Sequence, residues 1–134
     1  MIDAPVPVAA TDLGRANYAA LWDAVAAAVP DRPAVVAGGR TIPYRELADA
    51  AARLAGTLEQ RGLGVDAKVA VFMYNRLEYL VTIWAAYKLG AIPVNINFRY
   101  GAAELAELLE VARPDALVYP SSLRAPVLAA GERT

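Results

Sequence analysis

Apolar residues along this chain recur at two alternating spacings, and the alternation divides it into helices and strands. Leu21, Trp22, Val25 and Val29 repeat at helical spacing after Asn17, a suitable N-cap, and Pro30 ends the run. Ala34–Ala37 and Arg40–Ile42 flank Gly38-Gly39, the pattern of a short β-hairpin. A second helix starts near Pro43, with Tyr44, Leu47, Ala48, Ala51, Leu54, Ala55 and Leu58 on one face and Gly62 at its end. Val69–Met73 is a continuous apolar run, as expected of a strand covered on both faces. Asn75 is placed to cap a third helix. Leu77, Leu80, Val81, Trp84 and Lys88 share one face of it, and Ile83 and Tyr87 widen its apolar surface. Gly90 ends that helix and Ala91–Ile96 forms the next strand. A fourth helix is predicted over 102–112, with Leu105, Leu108, Leu109 and Ala112 inward and Glu104, Glu107 and Glu110 outward. Ala116–Tyr119 reads as a last short strand, and Ser121 as the cap of a terminal helix.

Strands joined by helices of this length favour right-handed parallel βαβ units. The predicted fold is therefore α/β, with parallel βαβ units preceded by a helix and a short hairpin. No internal repeat or mid-chain linker divides it. Residues 1–16, rich in Pro and Ala, are expected to form a loosely held arm.

Composition narrows the function classes. Of 134 residues, 57% are hydrophobic, which favours an ordered core over disorder. The net charge is −1 and no basic stripe is interleaved with aromatics, so nucleic acid is not an expected partner. Without cysteine or histidine, disulfides, thiol catalysis, Ser-His triads and His- or Cys-ligated metals are excluded, while carboxylate sites for hard cations stay open. Residues 1–7 lack the basic and long apolar regions of a signal peptide. The densest apolar stretch, 79–87, is far short of the roughly 20 residues that span a bilayer. A cytoplasmic protein without a membrane span is expected.

Few residues invite a chemical reading. Gly62-Leu63-Gly64-Val65-Asp66-Ala67 fits the dinucleotide pattern G-x-G-x-x-A. That pattern binds pyrophosphate when it follows a strand and opens a helix; here it follows a helix and precedes a strand, so a helix end and turn is the better reading. Glu104, Glu107 and Glu110 share a helix face that reads as solvated, with cation binding the lesser alternative. Asp3, Asp12 and Asp31 stand singly in loops and suggest no pairing. Asn95, Asn97 and Arg99 follow a strand and precede a helix, where open α/β sheets place ligands. They are the best local candidates for a site, against a bland reading in which Asn satisfies a turn and Arg99 pairs with a carboxylate. Trp22, Tyr79, Trp84 and Tyr87 fall on apolar helix faces and read as packing residues.

Two segments add a resemblance. Ile42-Pro43-Tyr44-Arg45-Glu46-Leu47 is similar to the first core motif of the AMP-forming adenylating superfamily, and Tyr87-Lys88-Leu89-Gly90-Ala91-Ile92-Pro93-Val94-Asn95 to the second. Gly62-Leu63-Gly64-Val65, Lys68-Val69-Ala70-Val71 and Asn75 match the passage between them. Asn95-Ile96-Asn97-Phe98-Arg99-Tyr100 with Glu104-Leu105 resembles the fatty acyl-CoA synthetase branch more than peptide-synthetase modules. The likeness covers roughly residues 17 to 120. Pro43 and Gly101 depart from the usual hydroxyl residues, but both suit helix starts.

The resemblance implies that residues 17–134 are an incomplete N-terminal part of an AMP-binding domain. It implies an enzyme that joins a carboxylate to ATP, releases pyrophosphate and passes the acyl group to coenzyme A, with Mg²⁺ assisting. The family's Ser/Thr/Gly-rich phosphate loop, aromatic-Thr-Glu segment, ribose-binding Asp and C-terminal catalytic Lys do not occur in this sequence. No catalytic, cofactor-binding or metal-binding residue is therefore carried over. The chain alone is expected to be inactive, to need the remainder of the enzyme or a complementing chain, and to self-associate through exposed edges. The alternatives are a stand-alone interaction module and, less favoured, a small nucleotide-binding domain using Asn95 to Arg99.

Overall fold

A computed structural model of the chain describes residues 17–132; the expected arm over 1–16, with Asp3 and Asp12, lies outside the described residues. The elements are α1 (Tyr18–Ala28), β1 (Pro33–Ala37), β2 (Arg40–Pro43), α2 (Tyr44–Gln60), β3 (Lys68–Phe72), α3 (Leu77–Lys88), β4 (Ile92–Ile96), α4 (Ala102–Ala112), β5 (Ala116–Val118), a 3₁₀ turn (Ser121–Leu123) and α5 (Arg124–Gly131). β1 and β2 form an antiparallel hairpin. β4, β3 and β5 form a parallel sheet with β3 central, and Val69 lies opposite Pro93 on one side and Ala116 on the other.

β3 carries the continuous apolar run because both of its faces are covered. Val69 packs with Ala86 and Ala91 on the α3 face. Ala70 and Phe72 point the other way, into a cluster with Ile96, Leu105 and Ala106 of α4, and Leu123 and Ala130. A third cluster, away from the sheet, joins α1, the hairpin, α2 and α3 through Ala19, Ile42, Leu47, Ala51 and Trp84. Each large side chain buried there contributes about 1.5–3 kcal/mol before the entropy cost of ordering it.

Helix ends follow the sequence closely in two places. At the end of α2 the Gly62 N–H donates to Glu59 C=O and the Leu63 N–H to Leu58 C=O; at the end of α3 Gly90 bonds Tyr87 and Ala91 bonds Ala86 in the same way. Both glycines sit at positive φ, 87° and 68°, as this cap requires. The G-x-G-x-x-A match is thus a helix end and turn. At the other end of α2, Pro43 offers no side-chain cap. The loop after α1 compensates: Arg32 C=O accepts from Tyr44 N–H and Pro30 C=O from Arg45 N–H.

Four expectations are corrected. Asn75 does not cap α3; Arg76 is the extended residue before Leu77 and gives no side-chain cap. Ser121 opens a 3₁₀ turn, and α5 begins only at Arg124, because Leu123 must first drop into the core. Leu80 is 37% exposed on α3; the buried stripe of that helix runs through Val81, Thr82, Trp84, Ala85 and Ala86, one position round. Asp31 is paired, with Arg45 of α2.

Candidate functional site

Parallel strands bring their carboxyl ends to one edge of the sheet, and the segments leaving β3, β4 and β5 meet there. Asn97 is used in its own turn: its side-chain oxygen accepts the Arg99 N–H at 3.1 Å. The Arg99 guanidinium lies 5.5 Å from the Phe98 ring centre, and Phe98 packs 4.9 Å from Tyr74. Asn95 is exposed on β4. None of the three sequence candidates lines the cleft that opens at this end of the sheet.

A cleft of about 410 Å³ does open at this end, on the α2 and α3 side of the sheet. Leu54, Met73, Val81 and Val118 form its apolar wall, and Arg76 and Ser121 stand at its polar side. Arg76 makes two contacts with Glu78, at 2.6 and 2.8 Å. The guanidinium holds the Glu78 carboxyl below the ordinary glutamate range, and Glu78 in turn raises Arg76. Thr82, though buried, donates to Glu78 C=O at 2.7 Å inside its own helix. Sequence reading missed this pair; the signal was an Arg and a Glu two residues apart at the exit of β3.

The two motif segments do structural work. Ile42 and Leu47 are buried, and Glu46 pairs with Arg40 at 3.3 Å. Lys88 reaches both oxygens of Asp23, at 2.6 and 2.7 Å, and the Trp84 indole N–H shares the first of them at 3.1 Å. Asn17 donates to Tyr87 C=O at 2.7 Å, and Trp22 stands edge-on to Trp84 at 5.5 Å. These contacts fix α1 on α3 and bury Trp84, with Trp22 and Tyr87 half-buried against it.

The described carboxylates do not assemble a site for magnesium. Glu104 is committed to its helix start, accepting the Gly101 N–H at 2.9 Å. Among the described residues no three acidic side chains gather into a metal site. No helix among them is long and apolar enough to cross a membrane.

Comparison with known proteins places this geometry. Residues 22–133 match the AMP-binding enzyme family. Over 103 residues the chain is 41% identical to the medium/long-chain-fatty-acid--CoA/3-oxocholest-4-en-26-oate--CoA ligase of Mycobacterium tuberculosis H37Rv, covering 77% of this chain and 19% of that protein. The inhibitor-bound N-terminal domain of FACL13 from M. tuberculosis superposes with a TM-score of 0.80 at 28% identity, covering 88% of this chain and 30% of that one. A benzoate CoA ligase from Burkholderia xenovorans LB400 shares the fold, with a TM-score of 0.84 at 22% identity over 89% of this chain and 24% of its own. The chain spans about a fifth of the length of the curated ligase it matches. With the parallel sheet, the hairpin and both core motifs in place, this chain belongs to the AMP-binding enzyme family.

Proposed function

We propose that this chain supplies the N-terminal scaffold of an ATP-dependent acyl-CoA synthetase, which converts a carboxylate, ATP and coenzyme A to acyl-CoA, AMP and pyrophosphate. The observation that carries this reading is the use made of the two motifs. Lys88 and Gly90, Ile42 and Leu47 are spent on docking, turning and packing, and none of them lines the cleft of about 410 Å³ at the strand ends. Likeness to a ligase named for medium- and long-chain fatty acids supports an aliphatic acid as the substrate class.

ATP, Mg²⁺ and coenzyme A are held, in this reading, by parts of the synthetase outside these residues. The commitment of Glu104 to Gly101 and of Arg76 to Glu78 supports that division. The partner is then the remainder of the enzyme, and the chain kept apart from it self-associates and performs no adenylation. Residues 17–134 would be one incomplete domain and 1–16 a loosely held arm, in a cytoplasmic enzyme. The alternative of a complementing module draws support from the sheet, whose outer strands β4 and β5 each pair on one side only among the described residues.

Fatty-acid-dependent ATP–pyrophosphate exchange on the purified 134-residue chain tests the inactivity. A rate equal to the blank is expected; exchange well above it would assign catalysis to this chain.

A further inference from the structure

Trp22 and Val25 of α1, Val35 of β1, Tyr44 of α2 and Trp84 of α3 line a cleft of about 190 Å³. A second cleft, of about 370 Å³, adjoins it. Val35 and Leu80 belong to both, and Val36, Leu77 and Tyr79 continue the wall. Together they make one groove between the hairpin and α3. Its lining is mainly apolar and its rim is open, with Val36 72% and Leu80 37% exposed.

The groove begins close to where α1 starts. Asn17 donates to Tyr87 C=O at the end of α3, and Trp22 packs on Trp84 further along. α1 thus runs back along α3 from Tyr87 toward Leu80, and the groove follows the same course. From Asn17 to Val25 the helix advances about 12 Å. Residues 9–16 can span about twice that when extended.

Residues 4–10, Ala-Pro-Val-Pro-Val-Ala-Ala, carry no charge, which matches the lining of the groove. Pro5 and Pro7 favour the polyproline II conformation in themselves and in the residues before them. With three residues per turn, that conformation puts Pro5 and Val8 on one face, about 9 Å apart. It is also the form that aromatic-lined grooves accept, because it costs little entropy to hold.

We infer that the groove is the seat of this chain's own N-terminal arm, with Val8 in the cleft between Trp22 and Trp84 and Pro5 in the cleft beyond Leu80. Three observations select this occupant. The arm is attached at the near end of the groove and is long enough to lie along it. The spacing of Pro5 and Val8 suits two adjoining clefts. The arm also precedes residues 22–133, the part shared with AMP-binding enzymes, so the seat is a feature of this chain. The inference goes beyond the proposed function, which leaves the arm loosely held, and does not depend on it.

The test is paramagnetic broadening in the full chain. The sequence has no cysteine, so Asp3→Cys carries a single nitroxide label near the outer end of the arm. The label is expected to raise the relaxation rates of the Val36 and Leu77 amides at least about threefold and to leave Leu105, on the other face of the sheet, unchanged. Adding Pro5→Gly and Val8→Asp should remove the effect. Broadening that survives those two substitutions, or that falls equally on Leu105, would overturn the inference. So would broadening that needs nitroxide-bearing chain mixed with isotope-labelled, nitroxide-free chain, which would make the arm of a second copy the occupant. In a single-chain chimera with the remainder of the M. tuberculosis ligase to which this chain is 41% identical, the Val36 and Leu77 broadening should persist. Its loss there would give the groove to the remaining synthetase and overturn the inference.

Discussion

Lys88 and Asp23 form the tie between the third helix and the first. The ammonium contacts both carboxylate oxygens, within 2.7 Å, and lies 5.6 Å from the Trp84 ring centre while the Trp84 indole shares the same carboxylate. One carboxylate therefore serves two donors from α3. Asp23→Ala should cost more than Lys88→Met, about 1–2 kcal/mol against about 0.5–1, because the first change leaves two donors without their acceptor. Urea unfolding of both variants checks the order; equal losses would mean that the indole bond adds nothing.

Gly62 and Gly90 close two helices with the same cap but in different surroundings. A Cβ at Gly62 would meet open space, whereas at Gly90 it would come 3.2 Å from Val65 Cγ2. Gly62→Ala should cost about 1 kcal/mol from the left-handed backbone alone, and Gly90→Ala more. The shift in denaturation midpoint gives the comparison.

Glu104 acts on its own helix start. Glu104→Ala should lower stability by about 0.5–1 kcal/mol, while Glu107→Ala and Glu110→Ala should change it little. Millimolar Mg²⁺ should leave the melting temperature of all four proteins unchanged. Stabilisation by Mg²⁺ that vanished in the Glu variants would restore the cation reading of this face.

The order of elements was legible because each carries its period. The apolar positions 47, 51, 55 and 58 are the buried face of α2, and the unbroken run in β3 fits a strand covered on both sides. What the chain did not disclose is mostly long-range. Asp23 and Lys88 are 65 residues apart, and nothing local marks them as partners. Arg76 rather than Asn75 precedes α3, a placement that local capping preference alone does not foretell. Asn97 and Arg99 follow β4 as expected, but Asn95 lies within that strand. They do not act together because alternation along β4 puts Asn95 on the face opposite Val94 and Ile96, while the Asn97 side chain accepts from the Arg99 backbone N–H.

The Arg76–Glu78 pair gives a small pH dependence of definite sign. Because the folded state holds the Glu78 carboxyl below its unfolded value, the contribution is present above the unfolded pKa and is lost as pH falls through the folded one. Both side chains are substantially exposed, at 41% and 56%, so the effect on stability is slight. The clearer readout is carboxyl NMR: Arg76→Gln should move the Glu78 titration upward toward an ordinary glutamate. An unmoved titration would show that Arg76 is not the cause.

The most direct measurement is fatty-acid-dependent ATP–pyrophosphate exchange by the chimera in which this chain replaces the matching fifth of the mycobacterial ligase, assayed beside the isolated chain. If the chain is the scaffold of an acyl-CoA synthetase, the chimera exchanges pyrophosphate when the acid is added and the isolated chain does not. A soluble, folded chimera without exchange, or an isolated chain with it, would contradict the account.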